Sequence, residues 1–206
     1  MGVTSYKIAE EYKKYTEKKN RARLVYINAR SKRNGWFVPT LEERFDNGRT
    51  KAQSLFASYY GYGFQVYNRP SCFNCKFRDR SGVADFRVGD FWGIKEQDEF
   101  WNRMGVCCIF VRSERGLSMM ERLAERGFKL FETDYKSATE SNMSSLRNKP
   151  QKYVELRARF AEVFSKKGLV PACRATASLS FKLKRIIPRG MQSTLKKIYH
   201  KFVDKR

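Results

Sequence analysis

The sequence predicts an α+β fold: a mixed, largely antiparallel sheet covered by helices, with a basic helical tail at the C-terminus. Three features carry this expectation. Asn47-Gly48 sits between two segments of strand character, a strong two-residue hairpin signal. Val106–Arg112 is a continuous apolar run of strand length, followed at once by a helical pattern. Several other stretches repeat their apolar residues at helical spacing, and strands interleaved with helices in this way form an α+β layer.

Taken in order, residues 5–20 read as a helix. Ser5 can cap it, Glu10 and Glu11 fall early, Lys18 and Lys19 fall late, and Ile8, Tyr12 and Tyr15 form one stripe. A strand is expected at Arg23–Asn28, and the stretch from Asn34-Gly35 and Trp36-Phe37-Val38 through the Asn47-Gly48 turn reads as antiparallel sheet. Ser54–Tyr60 reads as a short aromatic helix or turn ended by Gly61 and Gly63. Val83, Asp85, Arg87 and Gly89 alternate with Ala84, Phe86, Val88 and Asp90, which fits a strand ending at a glycine turn. Val106–Arg112 is the next strand, with Cys107 and Cys108 expected in the core. A helix follows over Ser113–Glu125, then a strand over Phe128–Glu132 and a polar loop over 137–151. Tyr153, Leu156, Phe160, Val163 and Phe164 mark a further helix closed by Gly168. Residues 1–170 are expected to form the domain and 171–206 the tail. In that tail Met191, Leu195, Ile198, Tyr199 and Phe202 form an apolar stripe among Lys196, Lys197, Lys201 and Lys205.

The composition limits the function classes. The 206 residues hold 43 Lys+Arg against 21 Asp+Glu, a net charge of +22, yet 41% are hydrophobic and 15% aromatic. That apolar content argues against a wholly disordered basic chain. Residues 1–35 carry ten basic and three acidic side chains, and residues 182–206 carry nine basic and one acidic. Such ends attract nucleic acid, anionic lipid or an acidic partner, and charge alone does not choose among them. No run reaches the roughly 18 apolar residues of a spanning helix, and no secretory pattern opens the chain. A cytoplasmic protein is expected, with a peripheral place at an anionic membrane surface open to the tail. The five cysteines accordingly read as thiols or metal ligands.

Chemistry concentrates at residues 68–94. Cys72 and Cys75 form a CxxC in a loop after Pro70, which sets two sulfurs within reach of one metal ion or cluster; incidental and redox roles fit the same spacing. In Gly89-Asp90-Phe91-Trp92-Gly93 the glycines allow close backbone approach, Asp90 can accept hydrogen bonds and Trp92 can stack on a flat ring. A hairpin with a packed tryptophan accounts for the same residues. His200 has no partner nearby in sequence, and nothing amounts to an acid–base or nucleophile constellation.

The segment RPSCFNCKFRDRSGVADFRVGDFWGI at 69–94 resembles the signature of the coenzyme F420 hydrogenase/dehydrogenase beta-subunit family, in its C-terminal domain. GVTSYKIAEEYKKY at 2–15 is similar to that family's Gly-Val-Pro-Ser segment, and RSKRNGW at 30–36 to its Arg-rich turn before Gly-Trp; Asn142 stands where the family has Asn-Pro. The resemblance implies an electron-transfer module of an iron–sulfur flavoprotein oxidoreductase. Cys72 and Cys75 would be ligands of a 4Fe-4S cluster whose set is incomplete in this chain. Asp85, Gly89, Asp90, Trp92 and Gly93 would lie beside the cofactor site, with FAD the candidate flavin. It further implies a C-terminal portion that needs the family's N-terminal part or a redox partner protein. The alternative is a non-catalytic basic module for nucleic acid or an anionic surface, with nucleic acid ranked behind the redox partner.

Overall fold

The structure, a computed structural model, describes residues 4–77, 82–141 and 150–186. The stripe at 191–202, His200 and Asn142 lie outside the described residues. Helix α1 (Lys7–Asn20) forms where the apolar spacing places it, burying Ile8, Tyr12 and Thr16 and carrying Lys18 and Lys19 in its last turn. The chain then builds a three-stranded antiparallel sheet, β1 (Leu24–Ser31), β2 (Thr40–Phe45) and β3 (Thr50–Ser54), in the order β1-β2-β3. Asn47-Gly48 makes the β2–β3 turn, with Gly48 at φ +80°, and the register runs from Thr40 opposite Ser54 to Arg44 opposite Thr50. The segment Trp36-Phe37-Val38 is a loop rather than a strand, because Trp36 turns inward and its backbone N–H donates to the Arg103 carbonyl at 3.1 Å.

Gly61 and Gly63 do not end a helix, as the sequence suggests; helix α2 (Tyr59–Val66) runs through both. The reason lies in packing. A Cβ on Gly61 would stand 2.0 Å from the Leu55 carbonyl oxygen, and one on Gly63 would stand 2.9 Å from Leu169 Cδ1. Glycine here permits close approach, and Ser58 supplies the helix cap by accepting the Gly61 N–H at 2.9 Å.

A second sheet pairs β4 (Phe86–Asp90) with β5 (Cys107–Val111) antiparallel, from Phe86 opposite Val111 to Asp90 opposite Cys107. Strand alternation separates the two cysteines expected inside: Cys108 is buried and Cys107 is exposed. Helix α3 (Glu114–Glu125) starts at Ser113, whose hydroxyl accepts the Gly116 N–H. Phe128–Glu132 is not a strand. No neighbouring strand among the described residues offers it a ladder, and Phe128, Leu130 and Phe131 are exposed. Part of the expected polar loop is instead helix α4 (Tyr135–Glu140), capped by Asp134, whose carboxylate accepts the Ser137 N–H at 3.0 Å.

Helices α5 (Gln151–Lys167), α6 (Leu169–Thr176) and α7 (Leu179–Ile186) close the larger core. There Phe160, Phe164, Leu169, Ala172, Cys173 and Phe181 pack with Ile8, Tyr12, Leu41, Leu55 and Tyr59. The described part of the segment expected as tail thus contributes to this core. A smaller core gathers Trp36, Phe91, Ile94, Cys108 and Ala138 around the second sheet. Two antiparallel sheets covered by helices make the fold α+β, as the sequence predicts.

One carboxylate is wholly inside. Glu43 on β2 has no exposed surface and accepts from the Tyr12 hydroxyl at 3.1 Å, the Thr16 hydroxyl at 2.6 Å, Gln53 Nε2 at 2.9 Å and Lys51 Nζ at 3.1 Å. Burial, then the charge of Glu43, pushes the Tyr12 phenol far above its ordinary value, so it stays a donor. This network clamps α1 to the sheet.

Candidate functional site

The cysteine loop is positioned from its stem. Pro70 starts a 3-10 turn over Pro70–Cys72, in which the Cys72 N–H donates to the Arg69 carbonyl at 2.9 Å and the Phe73 N–H to Pro70 at 3.0 Å. Proline suits the first helical position because its missing N–H would be unpaired there. Cys72 and Cys75 follow on one loop, both half-buried. Just before it, buried Asn68 makes an isolated antiparallel bridge with Thr4, whose hydroxyl donates to the Tyr67 carbonyl at 2.7 Å. Arg157 of α5 donates to the Asn68 carbonyl and lies over the Tyr67 ring at 5.1 Å. The N-terminal segment and α5 therefore hold the stem of the loop.

The residues at 85–93 fall into two settings. Asp85 stands just before β4, at the start of α3. Its carboxylate accepts from Ser113 Oγ at 2.7 Å, from Arg115 Nε at 3.0 Å and from a second Arg115 nitrogen. The Arg115 guanidinium, and after it the Ser113 hydroxyl, holds this carboxyl below the usual range. Asp85 thus ties β4 to α3.

Asp90, at the end of β4, pairs with Arg30 of β1 at 3.0 Å. The same guanidinium lies over Trp92 at 5.7 Å, while Trp36 stacks on Trp92 at 4.7 Å between centroids and 23° between planes. Arg30 and Trp36 join the two sheets at this junction, a role that sequence reasoning did not assign them, although the Arg-rich turn before Gly35-Trp36 was its visible trace. Next to Gly93 the space is filled: a Cβ there would meet the Ser137 carbonyl oxygen of α4 at 3.0 Å. Gly89 differs, with nothing within 4 Å of the place its Cβ would occupy.

The fit of this arrangement to the cofactors the sequence suggests is uneven. Two thiols on one loop suit one side of an iron–sulfur cluster, which takes four protein ligands. Among the described residues no group of three or more His, Cys, Asp or Glu side chains gathers to hold a metal, so the donor set on these residues falls short of a resident cluster. Trp92 already holds Trp36 and Arg30 against its ring and Gly93 abuts α4, so neither offers a flavin ring a free surface as they lie, whereas Gly89 is open beside its Cα. The indole N–H groups of Trp36 and Trp101 are buried without an acceptor among the described residues. No described helix is long and apolar enough to cross a membrane.

Comparison with known proteins bears on the same region. No curated protein and no solved structure matches the chain. The family model describing the C terminus of the coenzyme F420 hydrogenase/dehydrogenase beta subunit matches residues 1–135, which contain both sheets, the cysteine loop and the Arg30–Asp90 junction. With well over half of its length so matched, the chain belongs to the coenzyme F420 hydrogenase/dehydrogenase beta-subunit family, in its C-terminal domain.

Proposed function

We propose that the chain is an electron-transfer module of an iron–sulfur flavoprotein oxidoreductase, completed by the N-terminal part of such a β subunit or by a redox partner protein. The carrying observation is the family match together with Cys72 and Cys75 on one anchored loop inside it. In this role the two cysteines give two thiolates to a 4Fe-4S cluster and the other ligands come from the completing part. A cluster so held would pass electrons singly between its neighbours. The Thr4–Asn68 bridge supports ligand supply from the N-terminal side, since it ties that segment to the stem of the loop. Asp85, Asp90, Trp92 and Gly93 act as the scaffold that fixes the β4 face, and Gly89, open beside its Cα, is where a neighbour carrying a flavin such as FAD approaches most closely.

Anaerobic reconstitution of the full chain with iron and sulfide tests this. Labile, substoichiometric cluster absorbance is expected, lost in Cys72→Ser and in Cys75→Ser. Stoichiometric, air-stable iron would overturn the dependence on a completing part. Equal iron in wild type and both serine variants would overturn the cysteine assignment.

A further inference from the structure

Strand β1 is an edge of the three-stranded sheet, with β2 its one neighbour among the described residues. Two of its backbone donors are taken by side chains near the strand ends. The Leu24 N–H donates to the Glu17 carboxylate at 2.8 Å and the Arg30 N–H to the Asn28 side-chain carbonyl at 2.9 Å. Between them Val25, Tyr26 and Ile27 are 56%, 39% and 41% exposed. The register with β2 slips on either side of this centre, between Leu24 and Tyr26 and between Asn28 and Ser31. Within it Tyr26 and Ile27 turn to opposite faces, Tyr26 beside the Arg44 guanidinium at 4.5 Å and Ile27 on the face of its partner Glu43. The opposite edge is built differently. β3 is five residues, Thr-Lys-Ala-Gln-Ser, the short, polar and lysine-bearing form that discourages pairing.

Charge selects the occupant. Arg21, Arg23, Lys32 and Arg33, all exposed, flank the apolar centre of β1, within the 1–35 region that holds ten basic and three acidic side chains. A second copy would repeat that charge: antiparallel pairing about Tyr26 and Ile27 sets Arg23 opposite Arg30 twice, between chains of +22 each. Nucleic acid would satisfy the cations and leave the aliphatic Val25 and Ile27 without an apolar partner. We propose that the open side of β1 accepts, as a fourth strand, an extended segment of a partner protein that is apolar at alternate positions and acidic at both ends. Main-chain hydrogen bonds would supply the ladder, the apolar centre the packing and the acidic ends the register. The interaction needs neither cluster nor flavin and stands apart from the electron-transfer role.

The probe is a labelled synthetic peptide of alternating valine and threonine with glutamates at both ends, titrated into the full chain by fluorescence anisotropy. Binding should slow hydrogen exchange at residues 25–29. Ile27→Lys, which sets a charge in the edge, should weaken binding at least about tenfold, or ~1.4 kcal/mol. A peptide with lysine ends should bind at least about tenfold more weakly, and added salt should weaken the acidic peptide. Should Ile27→Lys fail to fold by circular dichroism, Ile27→Thr and the exchange pattern of the wild-type chain decide. Absence of binding, equal binding of acidic and lysine-ended peptides, or unchanged binding in the folded variants would overturn the proposal. So would self-association of the chain that Ile27→Lys abolishes, or an oligonucleotide that protects the same amides in place of the peptide.

Discussion

Removing the charge of Glu43 tests the central clamp of the fold. Its two oxygens accept four donors, from Tyr12 and Thr16 on α1 and from Lys51 and Gln53 on β3, with no exposed surface of its own. Glu43→Gln keeps the volume but replaces one acceptor oxygen with an NH2 group that must face either the Tyr12–Thr16 pair or the Lys51–Gln53 pair. Facing Lys51 and Gln53 the NH2 meets two donors, and facing Tyr12 and Thr16 it makes their hydroxyls turn to accept it and leaves their own hydrogens without the carboxylate. Either way buried donors lose their acceptor, at a cost of about 1–3 kcal/mol. Glu43→Leu removes all four bonds and strands Lys51, but the lysine side chain is about a third exposed and can turn to water. The double variant Glu43→Leu/Lys51→Met should therefore recover part of the loss, as expected when both members of a buried pair are replaced together. Urea unfolding reads these effects as a lowered midpoint at unchanged slope. A Glu43→Gln chain within about 0.5 kcal/mol of wild type would refute the assignment of this network as the clamp, since ordinary surface changes fall in that range.

Asp85 gives a pH signature. Its folded carboxyl is held down by Arg115 and Ser113, so its stabilisation is present above the unfolded value of about 3.9 and is lost as pH falls through the lower folded value. Asp85→Asn should be less stable than wild type near neutrality, and thermal melts of the two should converge in strong acid; a gap that persists there would show that charge is not the cause. Thiol labelling should modify exposed Cys107 well before Cys108, whose thiol is buried and pushed up by that burial; equal rates in the native chain would contradict the placement of β5. Gly61→Ala should destabilise by about 1–3 kcal/mol through overpacking, because its Cβ would fall 2.0 Å from the Leu55 carbonyl, and calorimetry showing a gain instead would mean that α2 is not seated there.

Sequence by itself determined the elements whose cause is local. The Asn47-Gly48 turn needs only its own backbone preferences, α1 follows from a stripe that repeats within its own turns, and α3 begins at a serine that caps three residues ahead. The cysteine loop was legible for the same reason, since proline and two cysteines lie within six residues. Tertiary structure alone decided the rest. Gly61 and Gly63 look like helix breakers until Leu55 and Leu169 come close enough to require them. Phe128–Glu132 has the composition of a strand, but a strand also needs a neighbour, and no described one stands beside it. The pair Cys107 and Cys108 reads as uniformly apolar until pairing with β4 assigns opposite faces. Trp92 and Asp90 could have met a ligand on composition alone; what they meet is Trp36, from the loop after β1, and Arg30 of β1, across a separation that no local spacing encodes. Propensity and turn chemistry act over a few residues and leave their mark in the string, whereas contacts between distant segments are fixed only when the cores close.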